Sequence, residues 1–134
     1  MNFVVIGGSD HGKSTFIQHL LFLSGSIDEA KYNNLKNDLK QTVDISQWSF
    51  KLATNNVNII DTPGDSKYIE STITGTFQAD NAIFIFDATR KEIYEKKELE
   101  YNCIHDKLLI AHASGIHRII ILINKMDQVE YSSQ

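Results

Sequence analysis

Apolar and polar positions alternate with different periods along the chain, and the period fixes the element. Phe3-Val4-Val5-Ile6 is apolar on every position, the signature of a strand buried on both faces. Phe16, Ile17, Leu20 and Leu21 then recur at helical spacing, and Ser24-Gly25-Ser26 ends that helix. A more polar helix is expected from Ile27 to about Leu39, with a solvated face of Lys31, Asn33, Asn34, Lys36 and Asn37. Trp48, Phe50 and Leu52 alternate with Gln47, Ser49 and Lys51, which predicts a half-buried strand. A turn at Thr54-Asn55-Asn56 and a strand over Val57 to Ile60 complete a hairpin. Ala82 to Phe86 and Ile119 to Ile123 read as further buried strands. Between them Tyr101, Ile104, Leu108 and Ala111 mark a helix that Gly115 closes. The order is strand, helix, polar segment, hairpin, strand, helix, strand. It predicts a three-layer α/β fold with a mostly parallel sheet.

Composition narrows the class. The chain of 134 residues is one domain by length and, at 42% apolar, has material for a core. A net charge of -4 argues against a large basic nucleic-acid surface. The longest apolar run, Ile119 to Ile123, is too short to span a membrane, and Met1 leads straight into the first strand without a signal peptide. The single Cys103 excludes an internal disulfide and a multi-cysteine metal site, and its apolar helical setting favours a buried thiol. A cytosolic protein is the expectation. His105, His112 and His117 are not spaced as a metal set, and Trp48 is expected to pack on the hairpin or core.

The chemistry begins at Gly7 to Thr15, Gly-Gly-Ser-Asp-His-Gly-Lys-Ser-Thr, which fits the phosphate-loop pattern G-x-x-x-x-G-K-[ST] between a strand and a helix. Gly7 and Gly12 let the backbone wrap an anion. The loop N–H groups and the helix N-terminus point at that anion. Lys13 brings a charge to the β- and γ-phosphates, and Ser14 offers a hydroxyl to Mg²⁺. Asp61-Thr62-Pro63-Gly64 follows a strand, so Asp61 can hold the metal shell and Gly64 can offer its N–H to a γ-phosphate. Asn124-Lys125-Met126-Asp127 follows the last strand. Asp127 can accept both N–H donors of a guanine edge, Asn124 can bond the carbonyl side, and the Lys125 stem can cover the ring. Taken alone, the second stretch is an ordinary turn and the third an ordinary strand exit. Together they stand in the required order, each at the carboxyl end of a predicted strand, where open α/β sheets bind ligands.

These residues resemble the GTP-binding domain of translational GTPases, in the branch of elongation factor 1-alpha, the eukaryotic release-factor GTPase and its ribosome-rescue relative. The resemblance is carried by Asp10 to Thr15, Asp44-Ile45 with Trp48 and Phe50, Asp61 to Gly64, Ile73 to Thr76 with Gln78-Ala79-Asp80, and Gly115 with Asn124 to Asp127. It implies a P-loop NTPase G domain over residues 1–134 that binds GTP or GDP with Mg²⁺. Thr42 would be the switch threonine that meets the metal and the γ-phosphate, and His11 and Asp10 would belong to the nucleotide-contacting loop. It also implies a switch read by the ribosome or translation factors.

The chain departs from that pattern at three places tied to hydrolysis. The family's water-orienting His is Asp65 here, and its two screening apolar positions are Ser9 and Gln41. The metal and nucleotide positions are kept. Slow hydrolysis, or a pseudo-GTPase that only binds, is the expectation. The segment before Thr42 is short and lacks the family's Arg-Gly. The family's last strand, closing helix and two β-barrels have no counterpart in the sequence, so the domain is expected to be truncated at its C-terminus. The strand Ile119 to Ile123 is then expected at an exposed sheet edge, and direct tRNA binding does not transfer.

Overall fold

A computed structural model describes residues 1–37, 42–90 and 98–129, with side chains from 104 onward in the last stretch. Gln41, the end of the second expected helix and the Tyr101 and Cys103 side chains lie outside the described residues.

Among the described residues five strands form one sheet: β1 (Asn2–Gly7), β2 (Ser46–Leu52), β3 (Asn55–Asp61), β4 (Asn81–Asp87) and β5 (Ile119–Asn124), in the spatial order β2-β3-β1-β4-β5. β1 pairs in parallel with β3 and β4, and β4 with β5, while β2 is antiparallel to β3. Among the described residues α1 (Lys13–Leu23), α3 (Ile69–Phe77) and α4 (Glu98–Ala113) pack on the sheet, and α2 (Glu29–Asn37) packs on α1. The mostly parallel, three-layer α/β fold expected from the sequence is present.

Alternation along β1 splits the core. Val5 faces one cluster with Ile17 and Leu21 of α1, Ile27, and the sheet residues Phe50, Val57, Ile59, Ile83 and Ile85. Trp48 packs against that cluster, and Tyr32 of α2 stacks on Phe22 at 4.7 Å. Val4 and Ile6 face the other cluster with Ile60, Ala82, Phe84, Ile104, Ala111 and Ile116. Each fully buried aliphatic side chain contributes about 1.5–3 kcal/mol. No residue of α2 is buried, as its Lys/Asn-rich sequence predicts.

Three expectations need correction. α2 begins at Glu29, leaving Ile27 free to enter the core. The hairpin turn is Ala53-Thr54, because Leu52 pairs directly with Asn55; Ala53 adopts φ 53°. Helix α3, preceded by a short 3-10 helix over Ser66–Tyr68, stands where the periodicity showed no element. It carries most of the stretch Ile73 to Asp80. There Gly75 lays α3 against Ile60 and Thr62, Gln78 accepts from Gln47 Nε2 at 2.7 Å, and Asp80 accepts from the Asn2 N–H at 3.1 Å. Those residues join helix to sheet.

β5 is an edge strand, as expected, with β2 at the opposite edge. It is not covered on both faces as its all-apolar sequence suggests, since Ile120, Ile121 and Ile123 are more than half exposed. No described helix is long and apolar enough to cross a membrane.

Candidate functional site

Parallel pairing puts Gly7, Asp61, Asp87 and Asn124, the last residues of β1, β3, β4 and β5, on one rim of the sheet. The three motifs therefore meet, and the structure adds two residues the motifs do not contain.

The phosphate loop leaves β1 and enters α1 through Gly12, whose φ of 89° is the left-handed region glycine adopts without strain. No side chain caps α1, so the first-turn N–H groups face the loop. Lys13 is buried and donates from Nζ to the Gly8 carbonyl at 2.7 Å. His11 is fully buried, with Nδ1 3.1 Å from the Gly8 nitrogen and 3.0 Å from the Ile85 carbonyl oxygen: one tautomer accepts from the Gly8 N–H and the other donates to Ile85. Its ring thus packs between the loop and β4. The carboxylate of Asp10 and the side chain of Thr15 face solvent.

Ser14, Thr42 and Asp61 converge. Ser14 Oγ donates to Asp61 Oδ2 at 2.6 Å, so the Thr42 hydroxyl, 3.0 Å from Ser14 Oγ, is the donor to Ser14. Asp61 is 3% exposed, and its Oδ1 has no hydrogen-bond partner among the described residues. Burial pushes the Asp61 carboxyl above its ordinary value. The Ser14 hydrogen bond, the Lys13 charge and the Thr62 N–H oppose that shift without cancelling it. Beside these groups is a cavity of about 130 Å³ lined by Ser14, Ile17, Gln18, Thr42, Ser46, Trp48 and Asp61. A single water needs only ~10–15 Å³ of such space, so a hydrated cation has room. Hydroxyl and carboxylate oxygens suit Mg²⁺, which keeps several of its waters. The orphaned Oδ1 and the adjoining space fit that ion. Among the described residues no group of three or more His, Cys, Asp or Glu is placed to hold a metal ion.

Gly64 lies so close to the phosphate loop that a Cβ there would run into Lys13 Nζ and the Gly8 carbonyl. Only glycine permits this approach. Asp65 begins the 3-10 helix instead of facing the loop alone: its Oδ1 accepts from the Lys67 N–H at 3.0 Å, and Lys67 Nζ is 3.6 Å from Oδ2.

On the other side of the loop, Asn124 Nδ2 donates to the His11 carbonyl at 3.0 Å, and Lys125 Nζ donates to the Asp10 carbonyl at 2.7 Å. Asp127 is exposed at the start of a 3-10 helix, Met126–Val129. The strand-exit motif is tied to the phosphate loop through main-chain oxygens.

Sequence reasoning missed Asp87 and Lys107. Asp87 is 1% exposed; Oδ2 accepts from Lys125 Nζ at 2.6 Å, and Oδ1 accepts from the Thr89 N–H and hydroxyl at 2.9 and 2.7 Å. Burial raises its pKa, but the hydrogen bonds from Lys125 and Thr89 outweigh burial and hold the carboxyl below its ordinary value. An acid closing a buried strand, as Asp61 does, was the available signal. Lys107 has no exposed surface, and its Nζ donates to the carbonyls of Gly7 at 2.9 Å and Gly64 at 2.5 Å. It stands three residues after Ile104 and four before Ala111, on the core face of α4, and a lysine at such a position is a legible anomaly.

Comparison with known proteins agrees with this geometry. The Elongation factor Tu GTP binding domain family matches residues 1–134. Elongation factor 1-alpha of Aeropyrum pernix is 35% identical over 95% of this chain and 34% of its own length. That of Entamoeba histolytica is 34% identical over 100% of this chain and 35% of its own. The chain thus spans about a third of the curated relatives it matches. Translation elongation factor SelB from Methanococcus maripaludis, solved with the GTP analogue GppNHp, superposes with a TM-score of 0.69 at 25% identity, over 96% of this chain and 22% of that one. A bacterial selenocysteine-specific elongation factor gives 0.68 at 25% identity, over 96% and 20%. With the fold, the motif order and a match along its whole length, the chain belongs to the elongation-factor family of GTP-binding domains.

Proposed function

We propose that this chain binds Mg·GTP and Mg·GDP across the rim and acts as a translation-related switch that hydrolyses GTP slowly. The carrying observation is the convergence of Ser14, Thr42 and Asp61 around Asp61 Oδ1, an acceptor with no partner among the described residues, beside a cavity. Lys13 and the loop N–H groups would hold the phosphates, with Gly7, Gly12 and Thr15 shaping that loop. Gly64 would meet the γ-phosphate. Asn124, Lys125 and Asp127 would read guanine. The solved relative SelB, described with a GTP analogue, supports the ligand class. The ribosome or translation factors are the partner class the family carries. Equilibrium binding of a fluorescent GDP analogue tests this reading. Saturable, Mg²⁺-dependent binding displaced by GTP and not by ATP is expected. ATP competing as well as GTP would overturn it.

A second reading, a pseudo-GTPase that binds without turnover, is favoured by Asp65. Its carboxylate is engaged in starting the 3-10 helix, and it carries no imidazole to orient a water. Single-turnover hydrolysis with and without ribosomes separates the two, since clear ribosome-stimulated turnover excludes the second. Asp65→His is expected to raise the hydrolysis rate while lowering stability by ~1 kcal/mol through the lost cap. An unchanged rate would place the defect elsewhere in the site.

A further inference from the structure

Lys107 joins the two segments whose separation a phosphate-sensing site must control. Gly7 ends β1 and opens the phosphate loop; Gly64 closes the Asp61-Thr62-Pro63-Gly64 stretch. One ammonium, carried on a helix 43 residues beyond Gly64 and 100 beyond Gly7, donates to both carbonyls. Burying an ammonium is costly unless hydrogen bonds replace its water. Bonds from a charged donor are about twice as strong as neutral ones, so both carbonyls are firmly held. The contact is also geometrically selective. Gly64 packs on Gly8 and on Lys13 Nζ with no room for a Cβ, so a shift of Gly64 toward or away from the loop must break the Lys107 bond or strain it.

We propose that Lys107 is a positioning residue for triphosphate recognition: it fixes Gly64 against the phosphate loop so that the Gly64 N–H stands where a γ-phosphate would accept it. This rests on the guanine-nucleotide reading above and adds a residue to it. GDP carries no γ-phosphate and does not need Gly64. Loss of Lys107 therefore weakens the triphosphate complex selectively, whereas a merely structural lysine would weaken both complexes alike.

The test measures Kd for GDP and for GppNHp, with Mg²⁺, in the wild-type chain and in Lys107→Met, Gly64→Ala and the double variant. Lys107→Met should bind GppNHp about tenfold more weakly, the worth of one charge-assisted hydrogen bond, with GDP affinity held within about twofold. The double variant should be no weaker for GppNHp than the worse single one, because Lys107 acts through Gly64. Equal losses for both nucleotides, an unchanged GppNHp affinity, or additive effects would each overturn the proposal. A wild-type chain that binds neither nucleotide would overturn the nucleotide reading and this proposal together. Wild-type binding with no effect of Lys107→Met would overturn this proposal alone. Should Lys107→Met fail to melt cooperatively, Lys107→Leu, which also removes the donor, is read against the same outcomes.

Discussion

Asp61 and Asp87 are the same residue in matching places with opposite electrostatics. Each ends a parallel strand next to β1, and each is almost inaccessible, at 3% and 1% exposure. Asp87 is fully served by the protein: Lys125 takes one oxygen and Thr89 takes the other twice. Its carboxyl is held below the ordinary value even though burial pulls the other way. Among the described residues Asp61 receives one side-chain hydrogen bond and keeps one oxygen without a partner, and burial wins. At Asp87 the donors outweigh burial, and at Asp61 burial outweighs the donors. The strand-exit side of the rim is therefore finished by the chain itself, while the phosphate side leaves an acceptor for something else to satisfy.

The comparison breaks most visibly at Lys125. Lys125→Met keeps the apolar stem and leaves the Asp87 carboxylate buried without its ammonium, which is expected to cost ~3 kcal/mol in chemical denaturation. The double variant Asp87→Ala/Lys125→Met should recover most of that loss, since it removes charge and partner together. A double variant as unstable as the single one would show that the pair is not the unit. Asp61→Asn should act in the opposite sense on stability. It removes a desolvated charge, so the metal-free thermal midpoint should rise, while the Mg²⁺-dependent gain in nucleotide affinity falls by roughly 10–100-fold. A lower midpoint would contradict the assignment of Asp61 as the strained carboxylate.

The smallest effects lie in the pH dependence, where the two residues carry opposite signs. Asp61 has a raised folded pKa. Its contribution is fully present below the ordinary value of 3.8 and is lost as pH rises through the raised one. Asp87 has a lowered folded pKa. Its contribution is present above 3.8 and is lost as pH falls through the lowered one. Denaturation profiles should show the neutral-side loss vanish in Asp61→Asn and the acid-side loss vanish in Asp87→Ala. An unchanged profile in either variant would remove that residue from the account.

Much of this was written in the periodicity. The strands β1 and β4 and the hairpin follow from runs and alternations that admit one reading, and the three motifs land on one rim because the sheet is parallel. α3 was illegible because Ile69 to Phe77 holds three threonines and a glycine, poor helix material. Its threonines turn back onto the helix, with Thr74 Oγ1 donating to the Glu70 carbonyl at 2.9 Å and Thr76 Oγ1 to that of Thr72 at 2.6 Å, and packing supplies the rest. The hairpin turn was misplaced because Asn55-Asn56 carries the turn residues, while the left-handed residue is Ala53, which has no propensity to announce it. β5 shows the limit of reading runs as burial, since hydrophobicity on both faces does not say what covers either one.

The bonds that join Asn124 and Lys125 to the phosphate loop end on the main-chain oxygens of His11 and Asp10. Main-chain acceptors are indifferent to the side chain that follows them. The coupling between the two loops is therefore robust to mutation at its receiving end. Asp10 can change to any residue that tolerates its φ of 60°, such as Asn or Gly, and the coupling persists. Tolerance is asymmetric: drift is open at Asp10, whereas burial fixes His11 and the bonds they donate fix Asn124 and Lys125.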